Sequence, residues 1–151
     1  MKAIIQRIAN ARVDVEGQTV GSAEKGFMIL LGVGNTDTDE EAKLLATKTA
    51  NLRIFEDGEG KMNLSLLDIS GDALVVSNFT LCADTKKGNR PSFINAMAPT
   101  EANRLYELYC DLLCSNGVKR VEKGVFGADM QVHLVNDGPV TITLDTDTWR
   151  K

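Results

Sequence analysis

Few residues in this chain could carry out bond-breaking chemistry. His133 is the only histidine, so a Ser/Cys–His–Asp relay has one base to draw on. Alternation along 129–135 puts Asp129, Gln131 and His133 on one strand face and Met130, Val132 and Leu134 on the other. His133 therefore lies on the polar face, as a base would and as an ordinary half-buried strand histidine would. No GxSxG elbow, GxxxxGK(S/T) loop or HExxH helix is present, and Gly32-Val33-Gly34 lacks the third glycine of a dinucleotide fingerprint. Cys82, Cys110 and Cys114 form an odd set without a secretory context and are expected as reduced thiols. Cys110 and Cys114, four apart on a helix, could share a face, but zinc would need two more ligands. No metal and no cofactor are expected.

Two segments stand out. Ser77-Asn78-Phe79-Thr80-Leu81 ends the strongest strand pattern, where open α/β sheets gather ligands. Its hydroxyls read either as site groups or as partners for nearby backbone. The second segment is Asn136-Asp137-Gly138-Pro139-Val140-Thr141. It reads as a turn between two strands. It also reads as a wall: a Gly-Pro pair can present carbonyl oxygens with no bulky side chain in front, and so bar a substituent from one side of a chiral centre.

The elements that must hold these segments follow from periodicity. Residues 2–9 alternate, and Ala11–Val15 with Thr19–Ala23 form a hairpin. Phe27–Gly34 reads as a strand buried on both faces. Thr38 and Glu41 have capping-box spacing, and a helix from about Asp39 to Asn51 follows. Asp72–Leu81 is a strand, and the basic loop with Lys86, Lys87 and Arg90 leads away from it. Pro99 starts a second helix with the stripe Ala102, Leu105, Leu108, Tyr109 and Leu112, ended by Asn116-Gly117. Strands at Lys119–Val125, Asp129–Val135 and Val140–Leu144 follow, then a polar tail, 145–151, with little to fix its path. This order predicts an α/β fold: one domain over 1–151, with a curved, mixed, barrel-like sheet and two main helices on one side.

Composition agrees with a globular chain. The 151 residues are 43% apolar and 25% charged, which excludes intrinsic disorder. No apolar run approaches the roughly 18 residues of a membrane span, and the N-terminus lacks a signal-peptide h-region, so a cytoplasmic location is expected. A net charge of −4 disfavours broad wrapping by nucleic acid but leaves room for a local grip on one RNA end. The Lys86/Lys87/Arg90 cluster could supply that grip through phosphates, or be a solvated loop.

Taken together, Leu52-Arg53-Ile54-Phe55, Gly60-Lys61-Met62-Asn63, Ser77–Leu81, Gly88-Asn89-Arg90-Pro91-Ser92-Phe93, Phe126–Val132 and Asn136–Thr141 closely resemble the bacterial D-aminoacyl-tRNA deacylases, over nearly the whole chain. One departure is Asn78, where that family usually has glutamine. The resemblance implies a deacylase-type β/β/α layering and hydrolysis of the ester between a D-amino acid and the 3′-terminal ribose of tRNA, with glycyl-tRNA also cleaved. It implies a homodimer in which a cis Gly138-Pro139 pair enters the partner's site and excludes L side chains. It further implies that Arg7 holds that loop and that Phe126 and Met130 bind the terminal adenosine. Ser77, Asn78, Phe79 and Thr80 are the expected catalytic segment. Thr80 has no adjacent base, so backbone N–H groups around Asn78 and Phe79 are expected to polarise the ester, with Thr80 in support. The alternatives are a non-catalytic module for the RNA 3′ end, and a general small-ester hydrolase using His133 or a serine.

Overall fold

The computed structural model describes residues 1–149. In chain order these form β1 (Lys2–Val15), β2 (Gln18–Ala23), β3 (Gly26–Gly32), α1 (Asp39–Asn51), β4 (Phe55–Glu56), β5 (Met62–Leu64), β6 (Asp72–Ser77), α2 (Pro99–Ser115), β7 (Val121–Lys123) and β8 (Gln131–Asp145). The two N-terminal segments distinguished in the sequence are a single strand. β1 stays continuous because β3 and then β2 pair along one edge while β8 pairs along the other, all antiparallel. Parallel pairing adds β6 to β3 and β7 to β6, giving the mixed order β2-β1-β3-β6-β7. The sheet curves until its ends nearly meet. A Cβ on Gly21 of β2 would lie 2.5 Å from the Lys123 carbonyl oxygen of β7, and Arg120 donates to the Ser22 carbonyl at 3.2 Å.

β3 and β6 are buried on both faces, and their alternation divides two cores. Phe27, Ile29, Leu31, Ala73 and Val75 face the helices, whereas Met28, Leu74 and Val76 face the barrel interior. The capping box at Thr38 and Glu41 forms as the spacing predicts. In α2 the deepest stripe is Ala102, Leu105, Tyr106, Tyr109 and Leu113, with Leu108 and Leu112 only half-buried at its edge. The stripe is rotated because Tyr106 and Tyr109 both find buried partners: the Tyr106 hydroxyl donates to the Val75 carbonyl at 2.7 Å, and the Tyr109 oxygen lies 2.9 Å from Thr49 Oγ1. Cys110 is buried there, and burial pushes its thiol up to about 12; Cys114 is exposed. The two do not share a common environment, and among the described residues no His/Cys/Asp/Glu group could hold a metal. No described helix is long and apolar enough to cross a membrane.

Two sequence-based expectations fail at the C-terminal end. Residues 136–139 do not join two strands; β8 runs through them, and they bulge from it opposite Arg7. Nor is the start of the tail without a fixed path. The Met1 ammonium is buried against Asp37 at 2.6 Å and Thr146 Oγ1 at 2.7 Å, and the Thr146 N–H donates to the Met1 carbonyl. A 3-10 turn, Thr146–Trp149, follows, with Lys48 Nζ 5.5 Å from the Trp149 ring centroid. Residues 150 and 151 lie outside the described residues. Asp37→Ala leaves a buried cation unpaired and is expected to lower unfolding free energy by about 3–5 kcal/mol. Chemical denaturation of the variant beside wild type measures this directly.

Candidate active site at the ends of the parallel strands

β3 and β6 run parallel, so their C-terminal ends lie side by side, and a cavity of about 720 Å³ opens there. Leu31, Val76 and Ser77 form its floor. The first half of α2 contributes Ala102 and Tyr106, and the segment after β7 contributes Phe126 and Met130. Phe79 and Phe93 line it from two further loops. Their rings meet edge to face, 5.0 Å apart.

The strand expected over Asp72–Leu81 stops at Ser77, and Phe79–Cys82 form a 3-10 turn. Asn78 makes that turn. Its Oδ1 accepts from the Thr80 N–H at 3.2 Å and from the Thr80 hydroxyl. A side chain capping the residue two places on needs the short reach of Asn, Asp or Ser. Gly32 lets the turn seat against β3, where a Cβ would come within 2.8 Å of Leu81 Cβ. The first glycine of the GxG pair thus serves close packing here. One expectation is corrected: the Asn78 N–H donates to the Leu31 carbonyl at 2.8 Å, so it is committed to the sheet. At the head of the turn, among the described residues, the Phe79 N–H has no acceptor within the chain.

Ser77, Asn78 and Phe79 line the cavity; Thr80 does not, and its exposed hydroxyl is spent on Asn78. Phe126 packs against Tyr106 with ring centroids 6.0 Å apart, and Met130 lies where a Cβ on Gly124 would meet its sulfur at 2.7 Å. Among the described residues, no carboxylate, lysine, arginine, histidine or cysteine lines the cavity. Tyr106 is its one titratable group among the described residues, and burial raises that hydroxyl well above its ordinary range. Among the described residues, the arrangement offers a largely apolar pocket with a backbone donor at its edge and no side-chain general base.

His133 is elsewhere. It sits on β8 with Nε2 3.4 Å from Asp14 Oδ2, beside a different groove. Donation from Thr19, with Arg12 nearby, holds the Asp14 carboxyl below its ordinary range. His133→Asn is therefore expected to change turnover in this cavity by less than about twofold and to leave its pH profile in place. Steady-state rates from pH 6 to 9 check this.

Gly138 and Pro139 do not line the cavity of their own chain. Their peptide bond is cis. Asn136 staples the bulge, accepting from the Val140 N–H at 2.8 Å and donating to its carbonyl at 3.2 Å. Arg7, only 7% exposed, fastens it from beneath: Nε donates to the Asp137 carbonyl at 2.9 Å and Nη1 to the Ile54 carbonyl at 2.8 Å. Gly138 has φ +147°, and a Cβ there would lie 2.8 Å from the Val140 nitrogen, so no side chain stands in front of the bulge. Lys86, Lys87 and Arg90 are exposed on a loop whose ends are pinned by paired Asp84–Ser92 backbone bonds of 2.8 and 2.9 Å.

Tyr106, Phe93 and Gly32 escaped the sequence reading as site residues. The i, i+4 spacing of Ala102 and Tyr106 could have flagged the first; Phe93 stands in the Gly88–Phe93 motif and Gly32 in the incomplete glycine fingerprint, neither of which by itself points to this cavity.

A fold and cavity of this kind define an α/β domain with a ligand site beyond parallel strand ends. The model of the family described as D-Tyr-tRNA(Tyr) deacylase matches residues 4–145. The chain belongs to that family. It is 58% identical to a D-aminoacyl-tRNA deacylase of Jannaschia sp., covering 97% of this chain and 99% of that one. It is 56% identical to the D-aminoacyl-tRNA deacylase of Thermosipho africanus, with 97% of each covered. Among solved structures it superimposes on one titled c-Myc DNA Unwinding Element Binding Protein with TM-score 0.91 and 40% identity, covering 96% and 98% of the two chains. A second, titled a probable eukaryotic D-amino acid tRNA deacylase, gives TM-score 0.81 at 20% identity over 95% and 97%, which establishes likeness of fold.

Proposed function

We propose that this chain is a hydrolase that cleaves the ester joining a D-amino acid to the 3′-terminal ribose of tRNA. The observation that carries the reading is family membership across the same residues that build the cavity. The aminoacyl ester is already activated, so orientation and a donor for the developing oxyanion suffice. The Phe79 N–H is that donor; Asn78 and Thr80 hold its turn, and Ser77 lies at the strand end behind it. The terminal adenosine lies against Phe126 and Met130. Water or the ribose's own 2′-hydroxyl supplies the attacking oxygen, in keeping with a cavity without a side-chain base.

Chirality is sorted by main chain. Gly138 and Pro139 are outside their own cavity yet held rigidly by Arg7 and Asn136. They act in the cavity of a second copy, in a homodimer. Among the described residues, the outer edge of β8 pairs with no strand, and its side chains are half-exposed, as those of an interface strand would be. The Gly-Pro carbonyls meet the α-amino group and leave no space for an L side chain, while achiral glycine passes, so glycyl-tRNA is a second substrate. Lys86, Lys87 and Arg90 take phosphates near the acceptor end. One domain and a cytoplasmic site of action follow from the same reading. The test is deacylation of matched D- and L-tyrosyl-tRNA by purified protein. D-tyrosyl-tRNA is expected to be cleaved at least about a hundredfold faster; equal rates, or tRNA retention without release of amino acid, contradict the proposal.

A further inference from the structure

We infer that Phe93 and Ile94 form a stacking platform outside the cavity for the unpaired nucleotide that precedes the terminal adenosine. This rests on the reading that an RNA 3′ end enters the cavity. Ile94, 77% exposed, is the most exposed large apolar side chain among the described residues; Phe93, next to it in the chain, is 37% exposed, and Phe79, whose ring meets that of Phe93, is 58% exposed. Such side chains usually sit on loose loops, but here the backbone is fixed on both sides. The Ile94 carbonyl accepts from Asn35 Nδ2 at 3.3 Å, the Asn35 N–H donates to the Asn95 carbonyl at 2.9 Å, and the Met97 N–H donates to the Val33 carbonyl at 3.1 Å. A platform held open to solvent in this way loses little entropy when a flat ligand lands on it.

The occupant follows from two neighbours. First, Phe93 both lines the cavity and is 37% exposed, so a strand whose last nucleoside lies inside can reach it on leaving. Second, the loop directly before it carries Lys86, Lys87 and Arg90, none in an ion pair among the described residues, on a chain of net charge −4. Exposed aromatic faces beside a basic loop are the combination that single-stranded nucleic acids use, bases on rings and phosphates on cations. Stacking tolerates any base, because every base has a π-face, and so accepts a pyrimidine.

The test compares D-tyrosyl esters of adenosine and of the dinucleotide CpA as substrates of the intact enzyme. Wild type is expected to cleave the dinucleotide ester with kcat/KM about tenfold or more above the adenosine ester, the span one stacked base provides. In Phe93→Ala and in Ile94→Ser that advantage is expected to shrink to about threefold or less, and in Phe93→Trp to persist. Equal proportional losses on both esters overturn the platform, as does a wild type that shows no dinucleotide advantage. If the advantage survives while the variants dissociate in sedimentation, a second copy of the chain covers this face and the inference is wrong. Wild type that cleaves neither ester nor D-tyrosyl-tRNA sinks the deacylase reading itself; cleavage of D-tyrosyl-tRNA without a dinucleotide advantage sinks the platform alone.

Discussion

Arg7→Ala is expected to lower kcat/KM for D-tyrosyl-tRNA by at least about a hundredfold and to bring the D-to-L rate ratio close to one. The guanidinium spans two carbonyls from distant parts of the chain, Ile54 before β4 and Asp137 at the foot of the Gly-Pro bulge. Among the described residues, no other hydrogen bond ties those two segments together. Removing it strands both oxygens and frees the bulge to shift, and a displacement near 1 Å at a positioning group can cost about a hundredfold in rate. Arg7→Lys is the sharper variant. It retains the charge, but a single ammonium lacks the planar fork that reaches both acceptors, so discrimination is expected to fall although the protein stays folded. Rates on both enantiomers, read beside a thermal melt, separate loss of sorting from loss of fold.

Asn78→Ala is the second large effect, and it falls on turnover rather than on chirality. Oδ1 of Asn78 holds both the N–H and the hydroxyl of Thr80, which sets the 3-10 turn that aims the Phe79 N–H. Losing that cap is expected to reduce kcat by about a hundredfold, the scale of one oxyanion donor, with a smaller change in KM. Thr80→Ala should cost about tenfold or less, because the Thr80 N–H keeps its bond to Asn78 and the hydroxyl does not line the cavity. Complete loss in Thr80→Ala with the fold intact would make the threonine a nucleophile and contradict this assignment. Single-turnover rates on D-tyrosyl-tRNA distinguish the two outcomes.

The parts of the fold that could be read in the sequence are those governed by short-range rules. Thr38 and Glu41 announced α1 through their spacing, and the apolar run from Phe27 announced a strand buried on both faces. The failures are long-range. Residues 136–139 have the composition of a hairpin turn, and no local signal tells that β1 continues past them on the other side and makes them a bulge. The start of the tail reads as unconstrained because its partner, the Met1 ammonium, lies at the opposite end of the chain. At the site, the Ser77–Leu81 segment stood out from strand end and hydroxyl content. That its Asn78 N–H is consumed by Leu31 depends on register with β3, which periodicity does not report. Gly32 is a further case: its lack of a side chain matters only because the turn from β6 lies across it.

The most direct measurement of whether one protomer's bulge completes the other's cavity is complementation between two impaired variants. Arg7→Ala carries a damaged bulge and an intact turn; Asn78→Ala carries the reverse. Unfolded together and refolded at equal concentration, they should recover about a quarter of wild-type D-tyrosyl-tRNA deacylation, because about half of the dimers are mixed and each has one undamaged site. Recovery no greater than the sum of the two variants alone would place bulge and turn in the same protomer's site and contradict the account.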